Sequence, residues 1–275
     1  MRKLLILVCS LLLTASLVHA QEAGQVQRDL IDAQVARLAL DADPHGRVFF
    51  VGFAGDGRER VFAEEIHFAA QRIGEKYGSS GRSVLLLNDQ RDLTTWPFAS
   101  VSSLKYALQA IARVMNRDED VLVLSLSSHG SRSADLVVAN KNMSGVDLDA
   151  RTVARLLDEA GIQWRVVIVS ACFSGSFVKP LANDHTIVLT AAAKDRSSFG
   201  CSNSRDLTYF GEAFYRDALP HSTSLKAAFE TARKEIRKRE RDERITHSKP
   251  QSYFGPLMDE KLRAIEQARA PADPR

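Results

Sequence analysis

Cysteine is scarce in this chain: 275 residues hold 3 of them, and one, Cys9, lies in the apolar N-terminal segment. With Cys172 and Cys201 alone beyond that segment, a disulfide-dense scaffold is excluded. Histidine offers no metal centre either, since His45, His67, His185, His221 and His247 are scattered without ligand spacing; no metal or cofactor is expected. An excess of one charge is missing too. The chain carries 37 basic against 34 acidic residues, so composition does not call for nucleic acid as a partner. The run Arg233–Arg244 alternates in sign and reads as a solvated, ion-paired helix face. Ser174 lacks the Gly-x-Ser-x-Gly elbow of serine hydrolases, and Gly52, Gly55 and Gly57 lack the spacing of a phosphate or dinucleotide loop. No apolar span follows the first twenty residues, so no membrane insertion is expected of the mature chain.

Those twenty residues read as an export signal. Arg2-Lys3 supply the positive start, Leu4–Val18 the apolar stretch and Val18-His19-Ala20 a small-residue cleavage site. The stretch is shorter than the roughly 20 apolar residues that span a bilayer. Residues 1–20 are therefore expected to be removed, leaving a periplasmic or secreted protein. Residues 21–46 are polar and helix-prone, with Ile31, Val35 and Leu38 on one weak stripe, and form an N-terminal helical arm that can lie over a cleft. Residues 47–275 form one domain.

Within that domain, short apolar runs alternate with helical periodicity. Val48–Phe53, Val84–Leu87, Val121–Leu126, Trp164–Val169 and Thr186–Thr190 read as buried strands, and Gln251–Phe254 as a last one. Between them Val61–Tyr77 is a helix stopped by Gly78, Ser100 caps a second and Asp149 a third. Leu136-Val137-Val138 suggests a small hairpin, Tyr209–Ala218 a helix and residues 222–243 a long amphipathic one. This alternation predicts an α/β three-layer sandwich: a mainly parallel sheet of about six strands with helices on both faces.

Two of the strands end on chemistry. Val121–Leu126 runs into Ser127-Ser128-His129-Gly130, and Trp164–Val169 into Ser170-Ala171-Cys172. If the strands are neighbours, their ends lie about 5 Å apart, at the edge where open α/β sheets carry their sites. His129 can take the thiol proton of Cys172 and later protonate a leaving amine. The N–H groups of Gly130 and Cys172 can hold a developing oxyanion. A second reading stands beside this one, in which Cys172 and Cys201 form a structural bridge. Asp135, Asp147 and Asp149 read as turn and cap residues. Trp96-Pro97-Phe98 is either core or cleft wall.

A block further on carries a resemblance. Thr190-Ala191-Ala192, Arg196-Ser197-Ser198-Phe199-Gly200-Cys201 and Thr208-Tyr209-Phe210-Gly211-Glu212, together with His129-Gly130 and Ala171-Cys172, resemble the legumain-like cysteine peptidases, whose fold is of the caspase type. The resemblance spans about Val48 to Gly255. It implies an exported endopeptidase with Cys172 as nucleophile, His129 as base, a thioester acyl-enzyme and a peptide or protein substrate. It further implies a substrate pocket from Ser197, Ser198, Glu212, Arg60 and Ser170, with cleavage after Asn or Asp, and makes Cys201 a packing residue. Two positions depart from the family: Phe173 stands where legumains carry an acid, and Arg58 where they carry an Asn that assists the histidine. A transpeptidase using the same dyad and a non-catalytic binding module with Cys172 in a disulfide are the competing readings.

Overall fold

The structure, a computed structural model, describes residues 22–140 and 143–269; the export signal predicted over residues 1–20 lies outside them. Six strands form one sheet: β1 (Val48–Ala54), β2 (Ser83–Leu87), β3 (Val121–Ser127), β4 (Arg165–Ser170), β5 (Thr186–Thr190) and β6 (Gln251–Phe254). Their order is β6-β5-β4-β3-β1-β2. All neighbours are parallel except β6, which runs antiparallel to β5. β1, β3 and β4 are buried along their whole lengths, which is why they read as unbroken apolar runs rather than alternating ones.

Helices cover both faces. The helix of residues 22–35 (α1), α3 (Val101–Val114), α4 (Ala150–Glu159) and the short α5 (Val178–Leu181) close one core, around Phe49, Leu108, Leu124 and Val167. α2 (Val61–Tyr77), α6 (Tyr209–Gly211), α7 (Leu225–Asp242) and α8 (Pro256–Ala268) close the other, around Phe50, Ile66, Ile168 and Phe214. The predicted three layers and mainly parallel sheet are thus observed. Ser100 accepts from the Ser103 N–H and Asp149 from the Arg151 and Thr152 N–H groups. Gly78 ends α2 in the left-handed region, as each helix boundary predicted.

Several local readings change. The small hairpin lies just beyond Leu136-Val137-Val138: Ala139–Asn140 pairs antiparallel with Met143–Ser144, while Asp135–Leu136 pairs with Leu148–Asp149. The segment between bends toward the active end of the sheet, where Val137 N–H donates to the His129 carbonyl at 2.9 Å. The helix expected over Tyr209–Ala218 is one α turn followed by a π-helical stretch, Glu212–Ala218. α8 was not anticipated, although Pro256 at its first turn and Met258, Leu262 and Ile265 at helical spacing announce it.

The arm does not lie over the strand ends that carry His129 and Cys172. Ile31 is fully buried in the core, and the Tyr106 hydroxyl on α3 donates to Asp32 at 2.8 Å. The Gln34 amide donates to the Leu85 carbonyl at 3.0 Å and accepts the Leu85 N–H at 2.9 Å. The arm is thereby bound to the outer edge of β2, two strands away from β3.

Candidate active site

The register of β3 and β4 sets the site. Ser127 pairs with Ser170 at the last rung, and the Ser128 N–H reaches the Ser170 carbonyl at 3.3 Å. His129 and Cys172 therefore each stand two residues past that rung on adjacent strands. Gly130 presses the two ends together. A Cβ built on it would lie 1.9 Å from the Cys172 carbonyl oxygen and 3.2 Å from its nitrogen. Only glycine permits that approach. An isolated bridge between Gly130 and Leu136, with the Val137–His129 bond, braces the histidine backbone from the other side.

The Cys172 thiol is half-buried and meets one residue of the following loop twice. It donates to the Ser198 carbonyl at 3.4 Å and receives the Ser198 N–H at 3.3 Å. Phe173 then adopts a left-handed φ of 57°, uncommon for a bulky residue, and turns the chain from β4 into the helical turn Ser174–Phe177. Its N–H bonds the Arg196 carbonyl at 2.7 Å, and the Arg132 guanidinium lies 5.3 Å from its ring. The residue that departs from the legumain pattern is thus held by backbone pairing and a cation–π contact.

The disulfide reading is corrected: Cys172 and Cys201 are separate, free thiols. Cys201 packs against the core on the α2 face. Burial pushes its thiol well above the ordinary range, and the nearby Cys172, Glu65 and Glu59 push the same way.

The remaining predicted residues fall into different places. Ser198 touches the thiol, while Ser197 is exposed beside it. Ser170 is 2% exposed and bonds Thr208 at 3.1 Å, so it lies beneath the site rather than open to a substrate. Arg60 bonds the Asn203 carbonyl at 2.9 Å and pairs with Asp206 at 2.7 Å. Glu212 is surrounded by Arg205, Arg216 and Arg239. Burial raises its carboxyl, but those guanidiniums outweigh burial and hold it below the usual range. Its contacts form a structural charge cluster, and none of them reaches the dyad. The Arg58 guanidinium is held by Asp56, to which it donates at 2.9 Å through Nε.

Two acidic residues not singled out in the sequence complete the picture. Glu59 Oε1 stands 3.4 Å from His129 Nε2, and the Phe62 ring meets the imidazole edge-on at 5.0 Å. Glu65 lies fully buried under both strand ends. It accepts from the Ser127 hydroxyl at 2.9 Å, the Thr208 N–H at 3.0 Å and the Thr208 hydroxyl at 2.5 Å. Gly211 leaves room for it, since a Cβ there would sit 2.1 Å from Glu65 Oε2. One carboxyl thus ties β3, through Thr208 β4, and the loop before α6.

Burial raises the Glu65 carboxyl, and the hydroxyl and N–H donors only partly offset it. The folded state therefore holds that proton more tightly than the unfolded chain. Stability from this group is greatest below the unfolded carboxyl range, about pH 4.3, and declines as pH rises through the folded one. Against Glu65→Gln, which has nothing to titrate there, the wild type should lose stability between pH 4 and neutrality in denaturant titrations. Glu65→Ala, which orphans Ser127 and Thr208, should cost roughly 1–3 kcal/mol per orphaned group at acid pH, and less as pH rises.

A cavity of about 430 Å³ opens between α1, α3 and the 138–145 segment, but neither Cys172 nor His129 lines it. The partly exposed dyad suits an extended chain laid across the strand ends better than a small molecule enclosed in a cavity.

A cysteine and a histidine thus stand just past the ends of two adjacent parallel strands of an open α/β sheet. Residues 90–260 match the family described as the Peptidase C13 family, and the chain belongs to it: the legumain family of cysteine peptidases. In fold it is similar to caspase-1 from Spodoptera frugiperda. That crystal structure covers 78% of this chain and 89% of its own, with a TM-score of 0.51 at 10% identity. No curated protein matches the chain in sequence.

Proposed function

We propose that this protein is an exported cysteine endopeptidase that works through Cys172 and His129. The observation that carries the reading is the Gly130–Cys172 approach, which leaves no space for a side chain between the two strand ends. Cys172 Sγ attacks the scissile carbonyl carbon as its proton passes to His129. The carbonyl oxygen becomes an oxyanion held by the Gly130 and Cys172 N–H groups. When the tetrahedral intermediate collapses, the C–N bond breaks, His129 protonates the leaving amine, and a thioester joins the acyl group to Cys172. Water, losing a proton to His129, then releases the acid and regenerates the thiol. Export rests on the Arg2-Lys3, Leu4–Val18 and Val18-His19-Ala20 pattern.

For the residue before the scissile bond the reading is Asn or Asp. Its support is the family block together with Arg60, whose side chain is 32% exposed and whose partner Asp206 is 76% exposed. A substrate carboxylate or carboxamide competes with so exposed a partner for the guanidinium. Digestion of a peptide library by the mature protein, read by mass spectrometry, should show cuts after Asn and Asp at least about tenfold above other residues. A flat profile, or one favouring Lys and Arg, would sink this specificity.

A further inference from the structure

We propose that Glu59 is the third member of the site, a positioning residue that orients His129 through its Nε2. The inference rests on the Cys172–His129 dyad proposed above and adds to it the group that holds the base.

Glu59 sits between two arginines, yet its side-chain contact is with the imidazole. Asp56 takes Arg58 through both carboxylate oxygens, and Asp206 and the Asn203 carbonyl take Arg60. The loop is clamped around it. Gly55 N–H bonds the Ser127 carbonyl at 2.9 Å, Gly57 N–H the Ala139 carbonyl at 2.8 Å, and Asn203 Oδ1 accepts the Arg60 N–H at 2.8 Å. Glu59 therefore faces His129 from a fixed frame, with Oε1 3.4 Å from Nε2. Its second oxygen is buried with no hydrogen-bond partner among the described residues. An enclosed carboxylate oxygen is costly unless a positive or N–H-bearing group stands against its carboxyl. Among the described residues the group that meets this carboxyl is the imidazole.

The consequence is a choice of ring nitrogen. With Nε2–H turned to Glu59, Nδ1 is the atom left to accept the Cys172 proton, and the carboxylate facing Nε2 settles the tautomer. In the acylation step Nδ1 gains the thiol proton and then loses it to the leaving amine, while Nε2 keeps its hydrogen toward Glu59 throughout. The proton stays on the imidazole, and Glu59 faces the imidazolium that forms in between. This also accounts for Arg58 at the position where the family carries a helper Asn: the supporting group has moved one residue along the loop.

The test is steady-state kinetics on mature Glu59→Ala and Glu59→Gln beside Cys172→Ala and His129→Ala. Glu59→Ala should lower kcat about 10²-fold with KM within about twofold, as for other loss of a supporting group behind a catalytic one. Glu59→Gln keeps an oxygen that accepts the Nε2–H, and should lose only about tenfold. Added formate, a small carboxylate for the vacated space, should restore kcat of Glu59→Ala but not of His129→Ala. If Glu59→Ala keeps kcat within twofold while Cys172→Ala and His129→Ala are inert, Glu59 has no such role and the dyad stands. If Glu59→Ala loses kcat together with thermal stability and formate restores nothing, the residue only braces its loop and the proposal falls. Activity surviving in Cys172→Ala overturns the dyad itself.

Discussion

Cys172→Ala should abolish peptide hydrolysis, lowering kcat by at least about 10⁴-fold, with the melting temperature within about 2 °C of wild type. The nucleophile is chemically indispensable but structurally light: its sulfur bonds only the Ser198 backbone, and the side chain is half-buried. His129→Ala should match it, because a thiol with no base to take its proton attacks slowly and cannot expel an amine. The two losses should not add in the double variant, since residues that act as one unit fail together. Progress curves at saturating substrate, with circular dichroism as the folding control, are the measurement. An alanine variant of Cys172 that still turns over would remove the thiol from the mechanism.

Gly130→Ala should be nearly as damaging although it removes no functional side chain. The new methyl would meet the Cys172 carbonyl oxygen at 1.9 Å, where the backbone of both residues runs just past the last rung of the sheet. One strand end must move. The N–H of residue 130 then leaves the oxyanion position, a loss of about 10²–10³-fold in kcat, and the displaced backbone costs about 1–3 kcal/mol. Alkylation of Cys172 by iodoacetamide separates the two effects. A thiol that still reacts while turnover is lost assigns the defect to oxyanion binding, whereas undiminished turnover would show that the strand ends yield freely.

Much of this was legible in the residues themselves. Buried parallel strands announce themselves as unbroken apolar runs, so β1, β3 and β4, and the neighbouring strand ends that carry His129 and Cys172, followed from sequence. The supporting carboxylates did not. Glu59 sits in a loop whose charges, Asp56, Arg58, Glu59 and Arg60, pair in several ways on paper, and only the folded loop gives Asp56 to Arg58 and frees Glu59 for the histidine. Glu65 left a fainter signal: it falls between Phe62 and Ile66 on the buried stripe of α2, where a charged residue is out of place unless partners await it. Glu212 misled in the opposite sense. Its motif places it near the substrate, but its carboxylate is taken by Arg205, by Arg216 one helical turn on, and by the distant Arg239, the one contact that local spacing does not encode.

Gln34 has a consequence of its own. A parallel sheet that ends at β2 exposes a row of unpaired N–H and C=O groups, an invitation to any passing strand. The arm answers at Leu85 with a single side-chain amide that donates and accepts as a neighbouring peptide group would. Guarding a border this way makes the cover of that edge depend on a helix that precedes the first strand. A nick between the arm and β1 would leave the chemistry of Cys172 untouched and yet hand the protein a sticky flank, so that its first symptom would be self-association rather than lost activity.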